Sequence, residues 1–146
     1  MPYKKIFIHC VWTTKYRKPM LRQPIRPEIF QHIKEYGLSK NITIDTINGY
    51  FDHVHALISL NPDQNLAEIM KLLKGESSFW FKSQKYYHWK FSWQDDYYAV
   101  SVSPGQIDRI RNYIKSQAEH HKKYSLDQEM EEFQKEVYEK YLKNEG

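Results

Sequence analysis

The chain has 146 residues and a mass of 17.8 kDa, which suits one domain, 1–146, while 40% hydrophobic and 16% aromatic content excludes collagen-like, low-complexity and disordered classes. A single cysteine, Cys10, excludes an internal disulfide or a paired-cysteine zinc site and points to a reducing, cytoplasmic setting, and no run approaches the roughly 20 apolar residues of a membrane span. With 22 Lys and Arg against 18 Asp and Glu the net charge is +4, and acidic residues gather from Asp127 onward, so the preceding segments carry a positive excess suited to a polyanionic partner.

Lys5 to Thr13 is rich in β-branched and aromatic residues and predicts a buried strand, ended by the basic run Lys15-Tyr16-Arg17-Lys18-Pro19. A helix is then expected with Pro27 at its first position, with Ile29, Phe30 and Ile33 at helical spacing, and with Gly37 as its stop. Ile42, Ile44 and Thr46 begin a second strand, Asn48-Gly49 signals a hairpin or bulge, and Val54 to Leu60 predicts an antiparallel third strand. Asn65 followed three residues later by Glu68 marks a capping-box start for a second helix that carries Leu66, Ile69, Met70 and Leu73 and continues towards Gln84.

A turn at Gln94-Asp95-Asp96 leads into a fourth strand, Tyr97 to Val102. Ser103-Pro104-Gly105-Gln106 combines an N-cap, an N1 proline and a glutamine three after the cap, which predicts a third helix from Pro104 to about Lys123. Ser125 and Gln128 open a fourth helix with Met130, Phe133, Val137 and Tyr141 on one face. The order βαββαβ followed by two helices predicts an α+β fold of the ferredoxin-like, split βαβ kind, with helices packed on an antiparallel sheet. That fold hosts many functions, so the chemistry must come from particular residues.

On the third strand, His53-Val54-His55 projects both imidazoles to one face and Val54 to the other. Two imidazoles can share an ion, yet 7 His in 146 residues give about 0.3 such pairs by chance, so the triplet alone is weak. Tyr113 and Gln117 lie four apart on one face of the third helix, with His121 one turn further; Tyr113 equally fits the packing stripe Ile107, Ile110, Ile114. Tyr124 and Gln128 repeat the spacing across the break at Ser125, which makes them poorer candidates. Asp52 and Asn48 suit either a hydrogen bond to a ligand imidazole or turn chemistry beside Gly49. Lys15, Arg17, Lys18, Lys71, Lys74 and Lys82, with Arg22, Arg26 and Lys85, are candidate phosphate contacts or ordinary solvated charges. Tyr16, Phe79, Trp80, Tyr86, Tyr87 and Trp89 suit stacking on unpaired bases or plain core packing.

Several segments occur in a distinctive order: Ile8-His9-Cys10-Val11-Trp12 with Thr14-Lys15-Tyr16-Arg17; Asp52-His53-Val54-His55-Ala56-Leu57-Ile58; Lys74-Gly75 with Ser77-Ser78; Trp93 to Val102; and Tyr113-Ile114 with Gln117 and His120-His121. Through them, nearly the whole chain resembles the single-tyrosine transposases of the HUH endonuclease superfamily, the IS200-like type and the REP-associated relatives. The resemblance implies that His53 and His55 bind a divalent metal, that Tyr113 is the nucleophile and that Gln117 completes the metal site. It implies Mg²⁺ or Mn²⁺, although two imidazoles by themselves favour softer ions. It further implies cutting and rejoining of single-stranded DNA at hairpin-marked sites through a 5′-phosphotyrosine. A homodimer is also implied, in which the Tyr113 helix of one subunit is able to complete the other's site. The alternative is a non-cleaving DNA-hairpin or RNA binding module; the chain lacks the aromatic signature of an RNA-recognition motif, and the full His, His, Tyr, Gln set argues for catalysis.

Overall fold

The computed structural model describes residues 6–84, 90–117 and 125–133. Strands β1 (Ile6–Thr13), β2 (Thr43–Gly49), β3 (His53–Leu60) and β4 (Tyr98–Val102) form one antiparallel sheet in the order β2-β3-β1-β4. Helices α1 (Ile25–Ser39), α2 (Leu66–Ser83), α3 (Ile107–Lys115) and α4 (Leu126–Phe133) accompany it. This is the expected ferredoxin-like α+β arrangement, with the two chemically interesting strands, β1 and β3, paired at the centre.

Because strand side chains alternate, the sheet feeds two separate cores. Cys10, Trp12, Val54, Ala56 and Ile58 join Ile29, Phe30 and Ile33 of α1 and Ile69, Met70, Leu73 and Phe81 of α2 in the larger one. Phe7, Leu57 and Val102 meet Ile107, Ile110 and Ile114 of α3 on the opposite face, in a smaller one. Among the described residues α3 therefore covers the face that His53 and His55 share, whereas α1 and α2 cover the back.

Several local expectations shift. Helix α1 begins two residues before Pro27, which sits within the first turn, where its missing N–H has no helical acceptor to lose. Gly37 is not the stop: the helix runs to Ser39, and Asn41 takes the left-handed turn at φ 60°. A Cβ at Gly37 would lie 3.0 Å from the Ile42 carbonyl oxygen and 3.1 Å from Ile44 Cδ1, so glycine there lets β2 approach the helix.

Asn48 and Gly49 belong to β2 rather than to a turn; the irregularity falls between Ile44 and Thr46, and the chain reverses through Tyr50, Phe51 and Asp52. Asn65 caps α2 as expected, accepting from the Glu68 N–H at 3.2 Å. The Ser103 side chain makes no cap bond: Pro104–Gln106 is a 3₁₀ turn, and the α-helix proper begins at Ile107 and is broken at Ser116. Ser125 and Gln128 do exchange the two bonds of a capping box at the start of α4. Residues 118–124, with His120, His121 and Tyr124, lie outside the described residues, as do Lys85 to Trp89, Val137 and Tyr141. Among the described residues no helix is long and apolar enough to cross a membrane.

Candidate active site

The β1–β3 register sets Thr13 opposite His53, Val11 opposite His55 and His9 opposite Leu57, which brings three histidines onto one face of two adjacent strands. All three are fully buried. Buried imidazoles need fixed partners, and each β3 histidine has one at Nδ1. The Asp52 carboxylate lies 2.7 Å from His53 Nδ1, and His9 Nε2 lies 3.0 Å from His55 Nδ1. Asp52 therefore holds a ligand-type imidazole, one of the two roles the sequence allows it. Asn48 does neither: its side-chain N–H groups donate to the carbonyl oxygens of Ile114 and Lys115 at 3.0 and 3.2 Å and cap the end of α3.

A second tie fixes the flank of the same helix. Arg111 donates to both carboxylate oxygens of Asp45 at 2.8 and 2.7 Å, a forked ion pair from α3 to β2, and these bonds hold the Asp45 carboxyl below the usual carboxylate range. So anchored, α3 presents Tyr113 to the histidines of its own chain, and Gln117 follows just past the break at Ser116. The half-buried Tyr113 ring stands edge-on to His55, with centroids 5.6 Å apart, and edge-on to His9 at 6.3 Å. It also borders the smaller core, so packing and proximity to the histidines coexist. Gln117 is fully buried, and its Oε1 lies 3.0 Å from His53 Nε2.

That last contact tests whether these residues suit a metal. With the Nδ1 proton on the Asp52 side, His53 Nε2 carries a lone pair and faces the lone pairs of Gln117 Oε1. Turning the amide over would aim its oxygen at the Tyr113 carbonyl, which now receives the Gln117 N–H at 3.5 Å. Two acceptors at 3.0 Å repel unless a proton or a cation lies between them. Neighbouring ligands of an octahedral ion with bonds of about 2.1 Å are also about 3 Å apart. The donor set fits a divalent cation in this respect. Among the described residues no three His, Cys, Asp or Glu side chains converge as a metal group, and the Gln117 amide oxygen is the described group placed to act as a third donor.

Residues 2–117 match the family model described as transposase, IS200-like. The chain belongs to the IS200-like transposase family. It is 27% identical over 114 residues to the ISDra2 transposase TnpA of Deinococcus radiodurans, covering 75% of this chain and 81% of that protein. The fold is similar to that of a provisionally assigned transposase from Deinococcus radiodurans R1, with a TM-score of 0.60, 23% identity and coverage of 80% and 93% of the two chains. It is also similar to that of a REP-associated tyrosine transposase bound to a REP hairpin, with a TM-score of 0.61, 14% identity and coverage of 83% and 72%.

The transposase sorts its basic residues into different roles. Lys15, Lys18 and Lys82 line one open groove of about 900 Å³ together with Arg22, Lys90 and the aromatic Phe91. Beside it, Tyr16 and Arg17 both adopt positive φ, at 57° and 55°, which costs non-glycine residues about 1–2 kcal/mol each. The turn leaves Tyr16 75% exposed, with the Lys15 and Lys18 ammonium groups 5.7 and 5.9 Å from its ring centre. Arg17 turns back, 3.0 Å from Asp127 of α4 and 4.0 Å from Asp52. Lys74 donates to the Gln94 and Asp95 carbonyls at 2.5 and 2.7 Å, and burial pulls its pKa down, so it ties α2 to the loop before β4. Lys71 is exposed away from the groove. Of the aromatic candidates, Phe79 is exposed and Trp80 stacks on His32 at 4.6 Å.

His9, Asp45 and Arg111 are the site residues that the sequence does not flag. A lone histidine in an apolar strand gives no signal until the strand pairing is known. Parity was the available clue: His9, His53 and His55 share a face when β1 and β3 pair odd with odd, as this register does. Cys10, next in the chain, points into the larger core, and burial pushes its thiol up to about 12, which removes it as a rival nucleophile.

Proposed function

We propose that the chain cuts and rejoins single-stranded DNA at hairpin-marked sites by transesterification through Tyr113. The observation that carries this reading is the meeting of His53, His55, Gln117 and the Tyr113 ring on one sheet face of an IS200-like transposase.

An ordinary phenol, with a pKa near 10, is only about one part in a thousand ionised at pH 7, so its attack on a phosphodiester needs electrostatic help. His53 Nε2, His55 Nε2 and Gln117 Oε1 would hold a divalent cation, Mg²⁺ or Mn²⁺, which supplies polarisation of the scissile phosphate oxygens. Asp52 keeps the His53 ring aimed, and the buried position of both imidazoles limits competing water. The Tyr113 oxygen bonds to phosphorus as the bond to the 3′ oxygen breaks; the phenolic proton leaves to solvent, and the 3′ oxygen takes one up. The 5′-phosphotyrosine conserves the ester bond, so a 3′-OH can reverse the attack and join strands without a nucleotide cofactor. The groove of Lys15, Lys18 and Lys82 beside the exposed Tyr16 supplies a track of phosphate partners with an aromatic platform.

Incubating the protein with labelled single-stranded hairpin oligonucleotides should yield a denaturation-resistant adduct with Mg²⁺ or Mn²⁺ and none with chelator. Tyr113→Phe should bind hairpins as the parent does and form no adduct, and His53→Ala should lose metal-dependent cleavage. Hairpin binding with no adduct under any metal would instead favour a non-cleaving binding module. The reading includes a homodimer, with β2 and β4 as the edge strands of the sheet among the described residues, and sedimentation at about twice 17.8 kDa is the expected result.

A further inference from the structure

We propose that His9 is a positioning residue: its Nε2 accepts the Nδ1–H of His55 and thereby fixes the tautomer in which His55 presents the Nε2 lone pair to the site. The inference rests on the reading of His55 as a metal ligand, and it names the group that makes this imidazole competent.

The geometry is that of an in-plane bond between two rings. His9 Nε2 and His55 Nδ1 are 3.0 Å apart, the ring planes are inclined by only 23°, and the centroids are 5.2 Å apart. The centroid separation exceeds the N···N contact by little more than one ring radius at each end, so the contact runs along the line of centres, where an N–H and a lone pair point. One ring must therefore donate and the other accept.

If His9 donated, the neutral His55 would carry its proton on Nε2 and could not ligate through that atom. If His55 donates, Nε2 is the lone-pair nitrogen. His53 shows the same logic with a different partner, since the Asp52 carboxylate can only accept, which puts the His53 proton on Nδ1. The two ligand candidates are thus set by a carboxylate in one case and a third imidazole in the other.

His9 is itself held. It is fully buried, with the Tyr98 ring of β4 edge-on at 6.3 Å and 80° and the Tyr113 ring of α3 edge-on at 6.3 Å and 77°. Its place on β1, directly opposite Leu57 and diagonal to His55, fixes the direction from which it meets His55. A neutral acceptor suits this place: a carboxylate between two tyrosine rings and an apolar helix would carry an uncompensated buried charge.

The test reads the tautomer in the metal-free protein by two-bond proton–nitrogen NMR correlations of the imidazoles. His55 should carry its proton on Nδ1 in the wild type, keep it there in His9→Gln, whose side-chain oxygen can accept, and lose that preference in His9→Leu. Mn²⁺ titration followed by calorimetry should show affinity lowered about 10- to 100-fold in His9→Leu and largely restored in His9→Gln. An Nε2–H tautomer of His55 in the wild type would overturn the proposal, as would a folded His9→Leu protein that binds Mn²⁺ like the parent. The wild-type measurement decides the hydrogen bond even if a variant does not fold. Failure of the wild type to bind Mn²⁺ would overturn the metal reading of the site, and the tautomer result would still stand or fall by itself.

Discussion

At Gly49 a Cβ would collide with the carbonyl oxygen of His53 and come within 2.9 Å of Phe30 Cζ, although the residue lies in ordinary strand backbone. The requirement is for space where the β2–β3 connection folds tightly over α1, one residue from the Asn48 cap. Gly49→Ala should lose about 2 kcal/mol of stability in urea unfolding, since neither backbone nor a packed ring can yield cheaply, and an unchanged midpoint would show that the connection relaxes. The sequence marks this position as special but for another reason, since Asn-Gly is the usual signature of a two-residue turn. His53 and His55 were legible because strand side chains have a strict period of two, and Tyr113 with Gln117 because four residues make about one helical turn. That the strand face and the helix face meet depends on how the chain folds back, and from residues alone that was available only through the family resemblance. His9 was legible only as part of a strand segment that carries the resemblance; its contact was not, because it depends on a partner 46 positions away.

Helix α3 is a short element whose placement brings the Tyr113 ring to the histidines. It buries one stripe, Ile107, Ile110 and Ile114, and depends for the rest on polar ties at its flank and its end. The Asp45–Arg111 pair is the strongest of these, being forked and partly shielded. Asp45→Asn should lower the urea midpoint at neutral pH, by less than loss of a buried pair would, since solvent screens this partly exposed one. The pH dependence has a definite sign. The folded-state pKa of Asp45 is depressed, so its stabilisation is fully present above the ordinary carboxylate value near 3.9 and is lost as pH falls through the lower folded value. Unfolding measured from pH 7 down to pH 2 should show the gap between wild type and Asp45→Asn constant at first and closing below pH 4; a gap that widens on acidification would refute the assignment. The element itself was legible from its isoleucine spacing. Its first turn was misjudged, because Ser-Pro-Gly-Gln satisfies the pattern of a capping box while the backbone closes a 3₁₀ turn instead, with the Gln106 N–H donating to the Ser103 carbonyl.

For the molecule as a whole, the net charge of +4 matters less than where the positive groups stand. Of the nine basic residues singled out from the sequence, Lys15, Lys18, Arg22 and Lys82 share a groove, whereas Arg17 and Lys74 spend their hydrogen bonds on protein groups. Replacing Lys15, Lys18 and Lys82 together by alanine should weaken hairpin binding at low salt and reduce the slope of log affinity against log salt by about 2, given roughly 0.7 per phosphate contact on single strands. An unaltered slope would place the DNA elsewhere. The overall α+β architecture was readable because the elements announced themselves by periodicity, composition or caps; the sorting of charges was not, since it depends on which carboxylates and carbonyls lie nearby in space. The division of the sheet between two cores has a consequence for how the protein tolerates change. Along both central strands the numbering parity is the same: odd positions such as Phe7, His9, His53, His55 and Leu57 look towards α3, and even positions such as Cys10, Trp12, Val54, Ala56 and Ile58 look away from it. Substitution pressure along these strands is thus interlaced at every second residue. An engineer can repack the even register for robustness and leave untouched the odd register that carries the proposed site.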